Sequence, residues 1–265
     1  MTVPRTIVLS IVLVAILAIP AIAQTPRMDG TGYGFAATAV DETASFNNPA
    51  GLPHLETFGT TVSPWPSRAS LNVLVDGPGD LDQFSGLYAA RETDRASGWG
   101  VGWIHTDNGA DMDSFALAYG RSFGEGLSAG LALNHMTNGS DATSFDLGAL
   151  YRQQLPMHNW RFGLVVQDIA DEYGGPFLNV GAAVELPAGV DVGATFFDIS
   201  DEIDRIFAIG AEWNVPMTPL LVRGGAFDGD LTLGAGYRWG NFEVSVAWMD
   251  ADESDMWTAG VTGSF

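Results

Sequence analysis

Asp and Glu supply most of the groups in this chain that could do chemistry. There are 32 of them against 11 basic residues, all Arg, for a formal charge of −21. Carboxylates gathered in one loop are ligands that Ca²⁺ prefers. The best such stretch is Asp107-Asn-Gly-Ala-Asp111 with Asp113. It misses the EF-hand spacing, so solvated acidic loops are the reading adopted and no metal site is assigned. The four histidines, His54, His105, His135 and His158, stand far apart, and without cysteine there is no Cys/His ligand pattern. Gly30-Thr-Gly-Tyr-Gly34 has the look of a nucleotide loop, but no strand precedes it and no Lys follows. No cofactor is expected. The acidity also argues against nucleic acid, whose phosphates it would repel.

What positions these groups is read from the rest of the chain. One Arg, the apolar run Ile7 to Ile19 and Ala21-Ile22-Ala23 make an export signal, residues 1–23. Its core is too short for a spanning helix, and Gln24 in place of Cys gives no lipid anchor. With export, the absence of Cys excludes a disulfide framework. No later run of 18 apolar residues occurs, yet 46% of the chain is hydrophobic, with 33 Gly and 15 Phe. Those features together point to an outer-membrane barrel.

From about Glu56 onward turn signals recur, and between them apolar residues alternate with small or polar ones. Trp160, Phe162, Leu164 and Val166 share one face, opposite Arg161, Gly163 and Val165. Leu231, Leu233, Ala235, Tyr237 and Trp239 oppose Thr232, Gly234, Gly236 and Arg238. Gly weakens strands, so the small face makes a poor solvent face. It suits a lumen lining, with the large face toward lipid. By parity the lumen charges are Asp146, Arg152, Arg161, Glu185, Asp191, Arg223, Arg238 and Glu243. They can pair with one another, pair with Asp41 and Glu42, or be solvated by lumen water.

The connections alternate between Asp-rich and Asp-poor, as an up-and-down meander requires. The Asp-rich set is placed outside, because the chain must end in the periplasm. Counting back from Phe265 gives 14 strands, and Glu56 to Ser63 would be a fifteenth. Bacterial barrels normally have even counts. The expected fold is all-β: a transmembrane up-and-down antiparallel barrel of about 14 strands with an N-terminal luminal plug. Residues 1–23 are the signal, 24–55 the plug and 56–265 the barrel.

The plug is read at Gly30 to Leu52, GTGYGFAATAVDETASFNNPAGL. Asp41 and Glu42 are its only charges, and Asn47-Asn48-Pro49-Ala50-Gly51 is a rigid turn. Small residues, then Ala-Val-Asp-Glu-Thr-Ala-Ser-Phe, then Asn-Asn-Pro-Ala-Gly-Leu, resembles the N-terminal segment of two outer-membrane barrel groups. One is the FadL-type fatty-acid transporters, the other the PorV/PorQ-type barrels of type IX secretion. The resemblance covers about twenty residues. It implies a segment inside the barrel that controls passage, with Asp41, Glu42, Asn47, Asn48, Pro49 and Gly51 as its gating residues. Trp257 and the terminal Phe265 lie on one face of the last strand and resemble the signal read by the barrel-assembly machinery.

One further pattern bears on catalysis. Asn134-His135-Met136-Thr137-Asn138-Gly139 resembles the His-x-Ser-Asn patch of outer-membrane lipid hydrolases, with Thr for Ser. Parity puts His135 and Thr137 on the lipid face near the outer rim, where Asp141 or Thr143 could orient the His. Thr is a hindered nucleophile, so these are read as rim residues and no catalytic residue is assigned.

The leading function is passive passage of small apolar molecules, with outer-membrane lipid and the assembly machinery as partners. The acidic loops, about 5 to 9 residues long, are too short for the ligand-capturing loops of the transporter family. The alternatives are an accessory barrel that docks secretion-system components and, more remotely, a lipid hydrolase.

Overall fold

A computed structural model of the chain describes residues 25–265, apart from residues 60–62, 64, 77–79, 93–95, 108–110, 125, 138–140, 173, 201–204 and 251–254. The export signal, Arg95 and the tips of several acidic loops lie outside the described residues.

Fourteen antiparallel strands close into one barrel. They are β1 (Ser67–Asp76), β2 (Asp80–Arg91), β3 (Ser97–Asp107), β4 (Asp111–Ser122), β5 (Leu127–Thr137), β6 (Asp141–Gln154) and β7 (Asn159–Gln167), followed by β8 (Phe177–Leu186), β9 (Val190–Phe197), β10 (Ile206–Asn214), β11 (Leu220–Phe227), β12 (Asp230–Trp239), β13 (Phe242–Met249) and β14 (Met256–Ser264). Each strand pairs with its sequence neighbours, and β1 meets β14 in register from Arg68 opposite Ser264 to Asp76 opposite Met256. Phe265 finishes this seam, exchanging two backbone hydrogen bonds of 2.9 Å with Ser67. Glu56–Gly59 run as irregular chain, so they add no fifteenth strand.

Period-two patterning decides which side chains face which way. Leu71, Leu117, Leu147 and Val244 point outward and are more than half exposed. The residues between them, among them Ala89, Ala132, Thr195 and Ser128, point inward and are fully buried. An outer wall of leucine, valine and aromatic side chains would be a standing liability in water. In hydrocarbon it is the required surface. The barrel therefore has its apolar residues outside and its small residues inside, the inverse of a sandwich core.

Ser67 and Phe265 mark one end of the barrel, here called the terminal end. The short turns, such as Leu186–Val190, lie at that end, and the acidic connections lie at the other, the loop end.

Candidate functional site

The interior is filled by residues 25–59. Thr25 caps helix α1 (Pro26–Gly30), its side chain accepting from the Met28 N–H. Three 3₁₀ turns follow, Ala36–Thr38, Glu42–Ser45 and Pro49–His54. Helix α1 packs on β11–β14, the first turn on β7–β9, the second on β1–β4 and the third on β2–β6. Thr31 and Gly34 reach β10 at Gly210. The segment thus touches the wall all the way round.

Contact is at backbone distance. A Cβ added to Gly163 would stand 1.7 Å from the Ala37 carbonyl oxygen, and one at Gly210 would stand 1.9 Å from that of Thr31. These wall positions need glycine because the plug backbone occupies the space of a side chain. Gly51 meets the same demand within the plug, 1.7 Å from the Ala39 oxygen.

Asn48 is fully buried and makes the turn where the plug doubles back. Its Oδ1 accepts from the Ala50 N–H at 3.0 Å, and its Nδ2 donates to the Ala37 carbonyl at 2.6 Å and the Ala149 carbonyl on β6 at 3.2 Å. Asn47 donates to the Thr43 carbonyl at 3.2 Å. Pro49 opens the third turn, where a missing N–H costs nothing. From the wall, Ser128 donates to the Ala50 carbonyl at 2.7 Å and Gln167 to that of Phe46 at 3.0 Å.

Charges are paired across plug and wall. Arg27 binds Asp41 at 2.5 Å and Glu212 of β10 at 3.3 Å. Arg223, wholly buried, holds Glu212 at 2.7 Å and Glu243 at 2.6 Å, and Arg238 reaches Glu243 at 2.9 Å. Three cations alternate with three carboxylates, so a buried network carries no net charge. Breaking one such buried pair costs about 3–5 kcal/mol, because the remaining charge stays in the interior. Separately, Arg68 holds Glu42 at 2.6 Å. Glu56 receives Arg161 at 3.0 Å and Arg152 at 3.9 Å, and Arg161 also faces Asp191 at 3.8 Å.

All eight lumen charges expected from parity face the interior or its mouth. Six of them form ion pairs. Asp146 instead accepts from Asn134 Nδ2 at 2.6 Å and the Asp168 N–H at 3.0 Å. Glu185, exposed at the terminal end, accepts from Asn159 at 2.8 Å. The sequence reading missed Arg27, Asp29, Glu56, Arg68 and Glu212. Glu212 was findable, since Trp213 beside it faces out. Arg68 was findable too, since it shares the inward face of β1 with Ser70 and Asn72. Arg27, Asp29 and Glu56 lie where no strand period exists to place them.

Among the described residues no cation stands against Asp29. It accepts hydrogen bonds from the Tyr33 hydroxyl at 2.5 Å and from the Thr258 hydroxyl on β14. Burial pushes its carboxyl up to about 6 from an ordinary 3.8, against those two bonds. Glu42 is also pushed up by burial, though Arg68 opposes it. A carboxyl that holds its proton more tightly in the docked plug favours docking at low pH, and that stability fades as pH rises from about 4 through about 6. Asp41 has the opposite sense. Burial would raise it, but Arg27 and Arg68 outweigh burial and hold it low, so its stabilisation is lost only below the ordinary carboxylate range. Plug openings in single-channel records should therefore be rarer near about pH 5 than near about pH 7, and Asp29→Asn should shrink the difference. More openings at the lower pH would refute the assignment.

The hydrolase pattern does not assemble. His135 Nδ1 lies 2.9 Å from Thr143 Oγ1, while Thr137 turns to the backbone of Asp113. Asp113 is taken by Trp103 Nε1 at 2.8 Å and His105 Nδ1 at 3.1 Å. Proposed nucleophile and base thus serve different partners. His135→Ala should leave any phospholipase background of the pure protein unchanged. Activity that vanished with that substitution would reverse the reading. Among the described residues no three His, Cys, Asp or Glu side chains gather as a cation site.

At the terminal end an open cavity of about 1030 Å³ lies under the plug, lined by Leu55, Glu56, Arg91, Tyr151, Arg152 and Gln153 among others. Trp257 lies on the outer face, and the Phe265 ring packs edge-on against Phe242 at 6.3 Å.

Fold and interior together define a closed fourteen-stranded barrel holding its own N-terminal segment. No protein-family model matches the chain, and no curated protein sequence matches it. Among solved structures it is similar to the CymD monoaromatic hydrocarbon channel, with a TM-score of 0.60 and 12% identity over 91% of this chain and 97% of that one. A porin of Rh. blastica, in mutant form, matches with a TM-score of 0.45 and 12% identity over 76% of this chain and 99% of that one. The likeness to CymD is one of fold.

Proposed function

We propose that this chain is an outer-membrane channel for small, uncharged, mainly apolar molecules, shut in this conformation by residues 25–59. The observation that carries it is the plug's contact with glycine and alanine around the whole inner wall. A wall that had only to be filled would use large side chains, as small barrels do. A wall of small residues leaves a wide bore once the plug moves. The fold shared with a hydrocarbon channel supports the solute class, and the short acidic loops give no reason to assign fatty acids. Conductance across planar bilayers tests the reading, with the full chain nearly silent and a chain lacking residues 30–46 conducting. A folded barrel silent in both forms would sink it.

Location has its own test. A lipid-facing belt of this kind should give a heat-modifiable band that carbonate does not wash from outer membranes. Recovery as a soluble periplasmic protein would end the membrane reading.

A further inference from the structure

Above the plug, toward the loop end, the inner wall carries polar atoms whose hydrogen bonds are unmade. Ser114 Oγ, Asn134 Oδ1 and Ser144 Oγ are buried and have no hydrogen-bond partner among the described residues. Ser114 and Ser144 are 3% and 0% exposed. Register brings the three together. Ser114 on β4 stands opposite Met136 on β5, two residues from Asn134, and Asn134 stands opposite Ser144 on β6. Adjacent strands lie about 4.8 Å apart, so the three, spread over β4, β5 and β6 across roughly 10 Å of wall, border a seat the length of one small molecule.

Beside this group sits the ring of Phe46, the foremost apolar side chain of the plug. It packs with Leu87, Ile104 and Ala116 and lies over Gly102, where a Cβ would come within 2.1 Å of its ring. Ile104 is the cross-strand partner of Ser114, and Ala116 that of Asn134. Phe46 therefore covers an apolar seat bordered by polar atoms that a hydrocarbon ring cannot satisfy. Most buried polar groups in proteins are paired, and three unpaired ones side by side point to a ligand.

Their chemistry specifies it. Asn134 spends its Nδ2 on Asp146 at 2.6 Å, and Asp146 is itself fixed by the Asp168 N–H. The Asn134 amide is thus oriented with its oxygen free to accept. The two serine hydroxyls can donate. A ligand hydroxyl set between Asn134 and Ser144, which stand directly opposite each other, donates to the first and accepts from the second, while Ser114, diagonal to Asn134 on the next strand, offers a further donor along the same seat. An anion is disfavoured, because Asp146 lies in this half of the lumen while Arg68, Arg152, Arg161, Arg223 and Arg238 all stand in the terminal half.

We propose that Ser114, Asn134 and Ser144 form a recognition site for a small uncharged hydrophobe bearing a hydroxyl, which seats by displacing the Phe46 ring. This deepens the channel reading and rests on it. The solute so recognised loosens the plug at its tip.

The full chain in detergent micelles is titrated with benzyl alcohol, toluene and benzoate by saturation-transfer NMR, with empty micelles as the blank. Benzyl alcohol should bind saturably and about tenfold more tightly than toluene, because a site built for a hydroxyl rejects the analogue that lacks it. Benzoate should not bind. Ser114→Ala with Ser144→Ala should bring benzyl alcohol to the level of toluene and leave toluene unmoved. If the double variant fails to fold, each single variant carries the same comparison. The chain has no cysteine, so Ser45→Cys beside Phe46 reports the displacement. Maleimide labelling of that variant should quicken with benzyl alcohol and not with toluene. Equal affinity for alcohol and toluene overturns the proposal, as does labelling that ignores the alcohol. Neither result touches the channel reading, which stands or falls on conductance of the barrel lacking residues 30–46.

Discussion

Deleting residues 30–46 is expected to convert a nearly silent barrel into a conducting one, with single-channel conductance rising roughly tenfold or more, as between plugged barrels and water-filled porins. The deletion removes the segment that crosses the bore from β11 round to β1. It leaves the strand ladder untouched, because no plug residue takes part in strand pairing. It does strand charges. Arg27 loses Asp41, and Arg68 loses Glu42. In a dry interior that would be ruinous, but an emptied lumen admits water, which solvates both guanidiniums. The barrel should therefore keep its heat-modifiability while it conducts. A correctly folded deletion variant with unaltered conductance would show that the segment is no plug, and a docking arm for secretion components would then be the better account.

The same opening should follow from a single methyl-bearing side chain on the wall. Gly163→Val places a Cβ where the Ala37 carbonyl now stands, and Gly210→Val does so at Thr31. No rotamer change relieves the overlap, since it is the Cβ itself that collides. Strand β7 is held by ladders to β6 and β8, and β10 by ladders to β9 and β11. The plug is held by scattered side-chain bonds, so the plug is what gives way. Conductance should approach that of the deletion. Gly224→Val is the control. A Cβ there meets nothing nearer than 3.7 Å, and its neighbour Arg223 is the residue that faces inward. It should leave conductance as it is. Closed channels in Gly163→Val would mean that the wall, not the plug, had yielded.

Why the wall was legible in the sequence and the plug only in outline follows from what surrounds each. Lipid on one side and a small-residue lining on the other impose a two-residue alternation on every strand. Trp160–Val166 and Leu231–Trp239 show it plainly, and it sorts Arg161 and Arg238 inward without further information. The plug meets wall on all sides, so no period marks its faces. Its helix and 3₁₀ turns follow the contour of the bore instead. Asn48 and Pro49 announced a turn, but nothing local says that Asn48 reaches Ala149 a hundred residues on. His135, read from the sequence as a rim residue, shows the same limit. Strand parity gives its face, while the choice of partner between Asp141 and Thr143 depends on register between β5 and β6, which sets Thr143 opposite it.

The ring of contacts between plug and wall also bears on how the barrel is made. Thr232 reaches Gly30 across 202 residues of chain, and Thr258 reaches Asp29 across 229. Contacts of such separation are slow to form, since the loop they close is nearly the whole chain. Yet the plug precedes β1 in sequence and is tied to it by about ten residues, so it is beside the growing sheet from the start. Each added strand can settle its glycines and alanines against that same short piece. The seam between β1 and β14 can then close around an occupied centre, at a girth that the fourteen strands set and the plug matches. The segment that shuts the finished pore need not be threaded into it afterwards.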